Sequence, residues 1–538
     1  MTCCALEPTT QRLPVTRSAR SVTLDCSRRT VLKAVAATAL TSVGGFAVAY
    51  AREPGRGRSP ANDTNRGNFM TELHYATLVD TAEAIRARKV SPVELTNMML
   101  HRISMLDPKL HAYAFVTPEI ALAQARNAEE EISQGRYRGP MHGIPIGVKD
   151  ICNTSGVPTA SGMLISKDHI PDTDATVVRR LQDAGAVMLG KLQLTEAAFA
   201  KHHPAIPVPK NPWNADYYVG ASSSGSGAAT AAGLAFAAIG SDTGGSIRFP
   251  ASANGITGLK PTWGRVSRHG VFPFAPSLDH IGPMARSAAD AGAMLGALAG
   301  YDPNDPTSIE AVVPDYLANL GTGVRGLRIG IDRAYNEDGV DPDIVRALHE
   351  TRRALQSLGA TIVEIKLPDY GPVAAGWASL AAVEAAIGHA NTYPNRSSEY
   401  GPAAAGTIAG LIEHGRTVFA SDLMKVEYAR LEFRGALAKL LSNIDLLLIP
   451  TQPLADFTVQ QEAELFNKPD DLAAFIRFAT PFDMAGSPTL TMPNGFTKKG
   501  LPLSFQIVGR HLGEALLIRA GHAYQQATDW HKRHPALG

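Results

Sequence analysis

Residues 237–248 read Ala-Ala-Ile-Gly-Ser-Asp-Thr-Gly-Gly-Ser-Ile-Arg, an apolar run that ends in a turn of small residues. The run from Ala235 to Ile239 predicts a buried strand, and the turn after it presents Ser246 behind two glycines. Glycines let the backbone bend tightly and expose consecutive N–H groups. Such groups can hold the negative oxygen that forms when a hydroxyl attacks a carbonyl. The stretch therefore predicts a strand followed by a turn that holds a candidate nucleophile.

A serine-rich segment lies upstream, Gly220-Ala-Ser-Ser-Ser-Gly-Ser-Gly227, in which Ser222 stands 24 residues before Ser246. On its own, this segment has a simpler interpretation as a flexible loop. It is not a nucleotide-binding phosphate loop, because no Gly-Lys-Ser/Thr follows it. Ser246 also lies outside any Gly-x-Ser-x-Gly elbow, so the hydrolase fold built on that elbow lacks support.

The segment Gly143-Ile-Pro-Ile-Gly-Val-Lys-Asp150 places Lys149 at the end of an apolar run. A lysine can remove a proton from a serine only when it is neutral, and burial of the amine favours that state. A bridging hydroxyl such as Ser222 could pass the proton in both directions between Lys149 and Ser246. Taken alone, Lys149 is better explained as one half of an ion pair with Asp150 or another acid. The three segments together favour amide hydrolysis by a serine nucleophile.

Short apolar runs alternate with helical segments along most of the chain, which favours an α/β fold around a central mixed sheet. Strands are expected over 144–148, 186–189, 235–239, 327–331, 361–365, 444–449, 489–492 and 504–508. Helices are expected over 120–132, 174–184, 227–234, 342–358 and 514–526. Another helix is expected to start at Ser91-Pro-Val-Glu94, with proline in its first turn. The segment 374–434 is mostly helical and forms either a cap over the sheet or another flank.

The first 51 residues have the features of a twin-arginine signal peptide. Arg28-Arg29 precedes a short, weakly apolar run, Ala34 to Ala49, and an Ala-Tyr-Ala pattern ends at Ala51. The alternative is a membrane anchor, but the run is shorter than the ~20 residues that a spanning helix needs. We expect a signal peptide (1–51), a flexible linker (52–70) and an amidase domain (71–538). The domain would be exported to the periplasm or secreted, without stable membrane insertion.

Composition narrows the remaining classes of protein. The formal net charge is +1 and no block of like charge stands out, so no nucleic-acid partner is expected. Three of the four cysteines lie in the signal segment, and Cys152 alone cannot form an internal disulfide. We interpret Cys152 as a buried structural thiol. His202 and His203 are interpreted as residues of a solvated loop, with a loop that lines the substrate pocket as the alternative. A metal site is disfavoured, since no carboxylate or cysteine partner is patterned nearby.

Several motifs together resemble those that define the amidase signature family. They are Gly220-Ala-Ser-Ser-Ser-Gly-Ser226, Gly240-Ser-Asp-Thr-Gly-Gly-Ser-Ile-Arg-Phe-Pro250, Gly258-Leu-Lys-Pro-Thr-Trp-Gly-Arg-Val266 and Ser277-Leu-Asp-His-Ile-Gly-Pro283. The lysine motif and the closing segment Leu503-Ser-Phe-Gln-Ile-Val-Gly509 also fit, so the similarity covers most of the chain after the linker. The resemblance implies a central mixed, twisted sheet with helices on both faces. It also implies a small-molecule amide substrate and no cofactor or metal, and it allows a homodimer.

The family uses a Ser–cis-Ser–Lys triad, and matching positions imply the roles of three residues here. Ser246 would be the nucleophile, Ser222 the bridging serine after a cis peptide bond to Ala221, and Lys149 the base. The oxyanion hole would consist of the backbone N–H groups of Thr243, Gly244, Gly245 and Ser246.

Two positions depart from the family pattern: Ala221 and Ser224 stand where other members commonly have glycine. Asp242 and Arg248 flank the turn and are expected to brace it, because an arginine cannot serve as a base.

The sequence thus predicts an exported amidase that works through a seryl acyl-enzyme and could also cleave esters or carbamates. The alternative is the glutamine-hydrolysing subunit of a tRNA-dependent amidotransferase, which the signal peptide and near-neutral charge disfavour. A third interpretation is a binding protein on an inactivated amidase scaffold. Loss of a triad residue would mark such a protein, and all three residues are present.

Overall fold

A computed structural model of the protein describes residues 73–537, and within this range eleven strands form a single sheet. The strands are β1 (Tyr113–Val116), β2 (Pro145–Lys149), β3 (Val187–Leu192), β4 (Ala237–Asp242), β5 (Thr257–Lys260), β6 (His280–Ala285), β7 (Arg328–Ile331), β8 (Thr361–Glu364), β9 (Leu446–Pro450), β10 (Thr489–Phe496) and β11 (Pro502–Val508). Their order across the sheet is β1-β3-β2-β4-β6-β5-β10-β11-β9-β7-β8.

Helices flank this sheet. In the described residues they are α1 (Leu78–Arg86), α2 (Pro92–Leu110), α3 (Pro118–Ser133), α4 (Thr176–Asp183), α5 (Ser224–Ala231), α6 (Arg248–Asn254), α7 (Ala288–Leu298), α8 (Arg333–Glu337), α9 (Pro342–Ser357), α10 (Gly371–Gly388), α11 (Ile408–Gly415), α12 (Ala420–Leu441), α13 (Val459–Phe466), α14 (Pro469–Ile476), α15 (Thr480–Met484) and α16 (Glu514–Ala527). Short 3₁₀ turns occur at Leu73–Tyr75, Leu164–Ser166, Glu196–Ala198, Leu320–Thr322, Ser397–Glu399 and Trp530–Lys532.

The sheet is mixed, as the alternation of apolar runs predicts. Strands β3, β2 and β4 run parallel, and so do β9, β7 and β8 at the other end. The strands between these two groups pair antiparallel, from β4–β6 to β11–β9. Every residue of β2, β3 and β4 is buried, which is typical of parallel strands covered on both faces.

Local sequence explains where several elements begin and end. Ser91 precedes α2 and accepts a hydrogen bond from the Glu94 N–H (3.1 Å), while Pro92 occupies the first helical position. At the end of β4, Asp242 accepts from the N–H groups of Gly245 (2.7 Å) and Ile247 (3.0 Å). This carboxylate fixes the turn through which the chain passes from β4 into α6.

The expected elements match the structure with shifts of a few residues, and the helical segment 374–434 corresponds to α10, α11 and α12. Three strands, β1, β5 and β6, were not expected, and neither were helices α6, α7, α8, α13, α14 and α15. The expected signal peptide and the linker 52–70 lie outside the described residues. Within residues 73–537, no helix combines the length and apolarity that crossing a membrane requires.

Candidate active site

Lys149 is the last residue of β2, and its amine is fully buried at the point where three parallel strands meet. Its Nζ lies 2.8 Å from the Oγ atoms of Ser222, Ser223 and Ser241. These serines come from two elements that the sequence separates widely from β2, namely the serine loop and β4. The structure therefore brings together Lys149 and Ser222, as the sequence predicts. It adds Ser223 and Ser241 as further partners of the amine.

Burial governs the charge of this amine. Desolvation outweighs the attraction of Asp242 and Asp279 and lowers the pKa of Lys149 from 10.5 to about 7. A large fraction of the side chain is therefore neutral near neutral pH. A neutral amine surrounded by hydroxyls can accept a proton from one of them.

The simpler explanation of Lys149 as a partner of Asp150 is wrong. The carboxylate of Asp150 instead faces Lys191 on β3, with an N–O distance of 3.1 Å. Successive residues along a strand point to opposite sides, which directs Lys149 and Asp150 apart. The nearest acid in the sequence thus pairs with another lysine, and within residues 73–537 the hydrogen-bond partners of the Lys149 amine are all hydroxyls.

The serine loop is buried and held by specific contacts, so its interpretation as a flexible loop is also wrong. The peptide bond between Ala221 and Ser222 is cis, and the Ala221 N–H donates to the Tyr218 hydroxyl (2.9 Å). Ser223 accepts from the Ser241 N–H and donates to its carbonyl oxygen, each at 3.2 Å. These bonds fix the loop against the end of β4.

Ser246 follows the two glycines and is partly exposed, whereas residues 242–245 are buried. The Ser223 N–H donates to the Ser246 carbonyl oxygen (3.3 Å), which ties the glycine turn to the serine loop. A side chain at Gly245 would lie 2.2 Å from the Phe249 ring, and its φ of +120° also favours glycine. A side chain at Gly244 would likewise collide with the Trp377 ring. The Trp377 indole N–H donates to the Thr243 carbonyl oxygen (2.8 Å). The turn therefore needs both glycines.

The expected oxyanion-hole donors divide into two groups. The N–H of Gly245 already donates to the Asp242 carboxylate at 2.7 Å. Within residues 73–537, the N–H groups of Thr243, Gly244 and Ser246 donate to no protein acceptor. These three groups remain available for a ligand oxygen, while Gly245 holds the turn in shape.

Asp242 and Arg248 brace the turn, as expected. The Arg248 guanidinium contacts Asp242 (3.0 and 2.8 Å) and also Asp483 of α15 (2.6 Å), and all three side chains are fully buried. Burial alone would raise the pKa of Asp242, but the Arg248 guanidinium holds it well below its usual range. This charged group is a scaffold under the glycine turn.

The remaining candidates behave as structural residues. Cys152 is fully buried, and burial raises the pKa of its thiol to about 12. His203 is buried and accepts from the Ala205 N–H (3.1 Å), so its placement in a solvated loop is wrong. His202 contacts the Ser224 hydroxyl (3.0 Å). In the described part of the chain, no group of three or more His, Cys, Asp or Glu residues is arranged to hold a metal.

The surface in front of Ser246 is apolar and aromatic. Ser246 and Gly244 line a small cavity of about 40 Å³ together with Tyr218, Phe249 and Trp377. Ser246 thus borders an apolar cavity, next to the N–H groups that donate to no protein acceptor within residues 73–537.

The chain is similar in sequence and in structure to known amidases and amidotransferase subunits. The family model described as Amidase matches residues 94–518, which include Lys149, the serine loop and the glycine turn. The chain is 45% identical over 460 residues to a Mycobacterium tuberculosis protein assigned as amidase AmiD (86% of this chain, 96% of that protein). It is 39% identical over 495 residues to the glutamyl-tRNA(Gln) amidotransferase A-subunit of Chloroflexus aggregans (87% and 99%). The solved peptide amidase of Stenotrophomonas maltophilia superimposes with a TM-score of 0.72 at 32% identity (84% and 96%).

Proposed function

Since this chain belongs to the amidase signature family and is a hydrolase that acts on amides, we propose that it forms a seryl acyl-enzyme. Ser246 is the nucleophile, Ser222 the bridging serine and Lys149 the base. The observation that carries the proposal is the buried 2.8 Å contact between the Lys149 amine and the Ser222 hydroxyl. This contact supports a proton path from the glycine turn to a lysine whose pKa burial has lowered to about 7.

In the first step, the Ser246 oxygen attacks the carbonyl carbon of the amide. Its proton passes to Ser222, whose own proton passes to the neutral Lys149 amine. The carbonyl oxygen becomes negative and is held by the N–H groups of Thr243, Gly244 and Ser246. Collapse of this intermediate breaks the C–N bond, and the proton returns from Lys149 through Ser222 to the leaving nitrogen.

In the second step, water takes the place of the amine. The neutral Lys149 accepts the water proton through Ser222, and the resulting hydroxide attacks the acyl carbon. The proton then returns to Ser246 as the acid leaves. Because the leaving group needs only a proton, the same site can also cleave esters or carbamates.

A serine-directed fluorophosphonate probe tests the assignment. The probe should add covalently to Ser246 in the wild-type protein, as read by peptide mass spectrometry. Ser246→Ala should lose the label and reduce kcat/KM by at least about 10⁴-fold, while its unfolding midpoint stays near that of the wild type. Labelling at another serine, or substantial turnover by Ser246→Ala, contradicts the role of Ser246.

The second candidate function is glutamine hydrolysis within a tRNA-dependent amidotransferase. The similarity to the glutamyl-tRNA(Gln) amidotransferase of Chloroflexus aggregans favours it. A component of such a complex needs its partner chains, so the purified chain on its own should be inactive on simple amides. Turnover of simple amides by the isolated chain would exclude this candidate as the main activity.

We also propose that residues 1–51 direct export by the twin-arginine route, with the catalytic domain released into the periplasm or secreted. The Arg28-Arg29 pair supports this proposal. Arg28→Lys/Arg29→Lys should retain the protein in the cytoplasm, as read by cell fractionation. Unchanged export of that variant contradicts the proposal. A homodimer is a further proposal, which light scattering of the purified domain tests.

A further inference from the structure

The small cavity at Ser246 continues into a larger one of about 410 Å³. Five residues line both cavities: Phe199, Trp377, Phe466, Leu472 and Ile476. The larger cavity lies between α10, α11 and α14, and its volume falls within the range of small-molecule sites. A ligand that reaches Ser246 through the narrow end can therefore extend its other end into this space.

The chemistry of the larger cavity is uniform. Its walls combine aromatic and branched side chains with small residues that create the space: Ala374, Ala375, Ala378, Ala404, Ala405, Gly406, Gly410 and Ala473. Among the described residues that line it, none is Asp, Glu, Lys or Arg, and the one titratable side chain is the exposed His414. A charged ligand group placed there would give up part of its hydration and gain no ionic partner, which costs free energy.

The position of Lys149 indicates which half of the amide substrate occupies the 410 Å³ cavity. The leaving nitrogen receives its proton from Lys149 through Ser222, so the amine half must lie on the lysine side. A different cavity, of about 310 Å³, is lined by Ser241, which directly contacts Lys149. The 410 Å³ cavity contains none of the lysine's three serine partners. The acyl half of the substrate therefore extends into the apolar cavity.

We infer that the preferred substrates are amides of an uncharged, apolar acyl group, such as a medium-length alkanoyl or an arylalkanoyl group. This inference rests on the proposed acyl-enzyme mechanism and specifies its substrate class. It also sets the chain apart from a glutaminase, because the charged ammonium and carboxylate of free glutamine find no partner among the residues that line the apolar cavity. The acyl group is selected by burial of apolar surface rather than by ion pairs.

A series of acyl p-nitroanilides tests the inference with one leaving group throughout. The acetyl, butyryl, octanoyl and glutaryl compounds differ only in the length and charge of the acyl chain. Each buried CH₂ group should raise kcat/KM about fourfold, so octanoyl, with six more CH₂ groups, should exceed acetyl by about 10³–10⁴-fold when all six are buried. Glutaryl should fall at least about tenfold below butyryl, because its carboxylate enters an apolar cavity. Equal kcat/KM values across the series, or a higher kcat/KM for glutaryl than for butyryl, overturn the inference.

A variant that fills the cavity gives an independent test. Ala378 of α10 lines the cavity, and Ala378→Phe should lower the octanoyl-to-acetyl ratio of kcat/KM about tenfold. The matched control is Ala436→Phe, an exposed alanine of α12 that lies outside the cavity lining, which should leave the ratio unchanged. Equal ratios in the two variants contradict the placement of the acyl group.

Two further measurements distinguish a failure of the proposed acyl preference from a failure of the acyl-enzyme mechanism. Isothermal titration of Ser246→Ala should show tighter binding of the octanoyl than of the glutaryl anilide, without any need for turnover. A wild-type protein that labels with fluorophosphonate and cleaves acetyl anilide, yet binds glutaryl more tightly, overturns the substrate class alone. A protein that neither labels nor cleaves any member overturns the acyl-enzyme mechanism and this inference with it.

Discussion

Two neighbouring lysines of the central sheet show that the partners of a buried amine, and not its burial alone, decide what it can do. Lys149 on β2 and Lys191 on β3 are both fully buried. Lys191 faces the Asp150 carboxylate at 3.1 Å and donates to the Cys152 carbonyl oxygen and the Thr159 hydroxyl. In the described part of the chain, the Lys149 amine forms hydrogen bonds only with serine hydroxyls. The first arrangement pairs the amine with a carboxylate, and the second surrounds an amine of lowered pKa with hydroxyls.

The end of one strand, β2, separates the two arrangements. Val148 pairs with Lys191 in the β2–β3 register, and Asp150 follows two residues later on the same side by strand alternation. The ion pair removes the nearest carboxylate from Lys149. Had Asp150 faced Lys149 instead, its negative charge would have raised the pKa of Lys149 and kept it protonated. The Lys191–Asp150 pair therefore keeps this carboxylate away from the proposed base.

Removing the amine of Lys149 should have the largest effect on activity. Lys149→Met keeps the length of the side chain without the base, so kcat/KM on a reactive anilide should fall by at least about 10³-fold at pH 8. The protein should remain folded, because no ion pair is broken. Activity within tenfold of the wild type would show that another group is the base.

Removing the amine of Lys191 should instead affect stability. Lys191→Met leaves the buried Asp150 carboxylate without its partner and should lower the free energy of unfolding by about 3–5 kcal/mol. Urea denaturation measures this change. The double variant Lys191→Met/Asp150→Asn should recover a large part of the loss, since no unpaired charge remains. A double variant as unstable as the single one contradicts the importance of the pair.

The pH dependence of activity should report Lys149 alone. Because the base must be neutral and its pKa is about 7, kcat/KM should fall about tenfold per pH unit below pH 7 and level off above pH 8. The Lys191→Met/Asp150→Asn variant should keep the same midpoint. A midpoint near the ordinary lysine value of 10.5, or no dependence between pH 5 and 8, would contradict a desolvated base.

The same lowered pKa predicts a stability change with a definite sign. Between pH 7 and 10.5 the unfolded chain binds the lysine proton and the folded chain does not, so stability rises with pH. Relative to Lys149→Met, the wild type should gain about 1.4 kcal/mol per pH unit from pH 7.5 to 9. Chemical denaturation of the two proteins at three pH values measures the difference. Parallel curves would show that the folded lysine titrates as it does in the unfolded chain.

The smallest effects concern the hydroxyls that hold the amine. Ser241→Ala removes one acceptor from the Lys149 ammonium, so kcat/KM should fall about 2–10-fold. The midpoint of the pH profile should also move to lower pH, because hydrogen bonding to the charged form raises a lysine pKa. Ser226→Ala is the control, since the equally buried Ser226 hydroxyl donates to Ile239 and does not contact Lys149. An unmoved midpoint in Ser241→Ala would limit Ser241 to a packing role.

Local sequence signals account for most of the sheet but not for all of it. The strand over 145–149 and the glycine turn after β4 follow from apolar runs and from backbone conformations that only glycine adopts readily. Strand β6 was missed because Gly282 and Pro283 weaken the local strand signal, although it pairs with β4 along its whole length. Here the tertiary environment overrides local preference, since the strand is placed by its neighbours.

By itself, the sequence determined the chemical groups of this site: a lysine after an apolar strand, a serine loop, and a serine behind two glycines. Those features depend on residue type and on spacing along the chain. Only the tertiary structure decided that Ser223 and Ser241, 74 and 92 residues from Lys149, hold its amine, and that Asp150 turns to Lys191. It also decided that an uncharged cavity faces Ser246. These contacts depend on which strands and helices become neighbours, a property that long-range burial sets and local sequence does not encode.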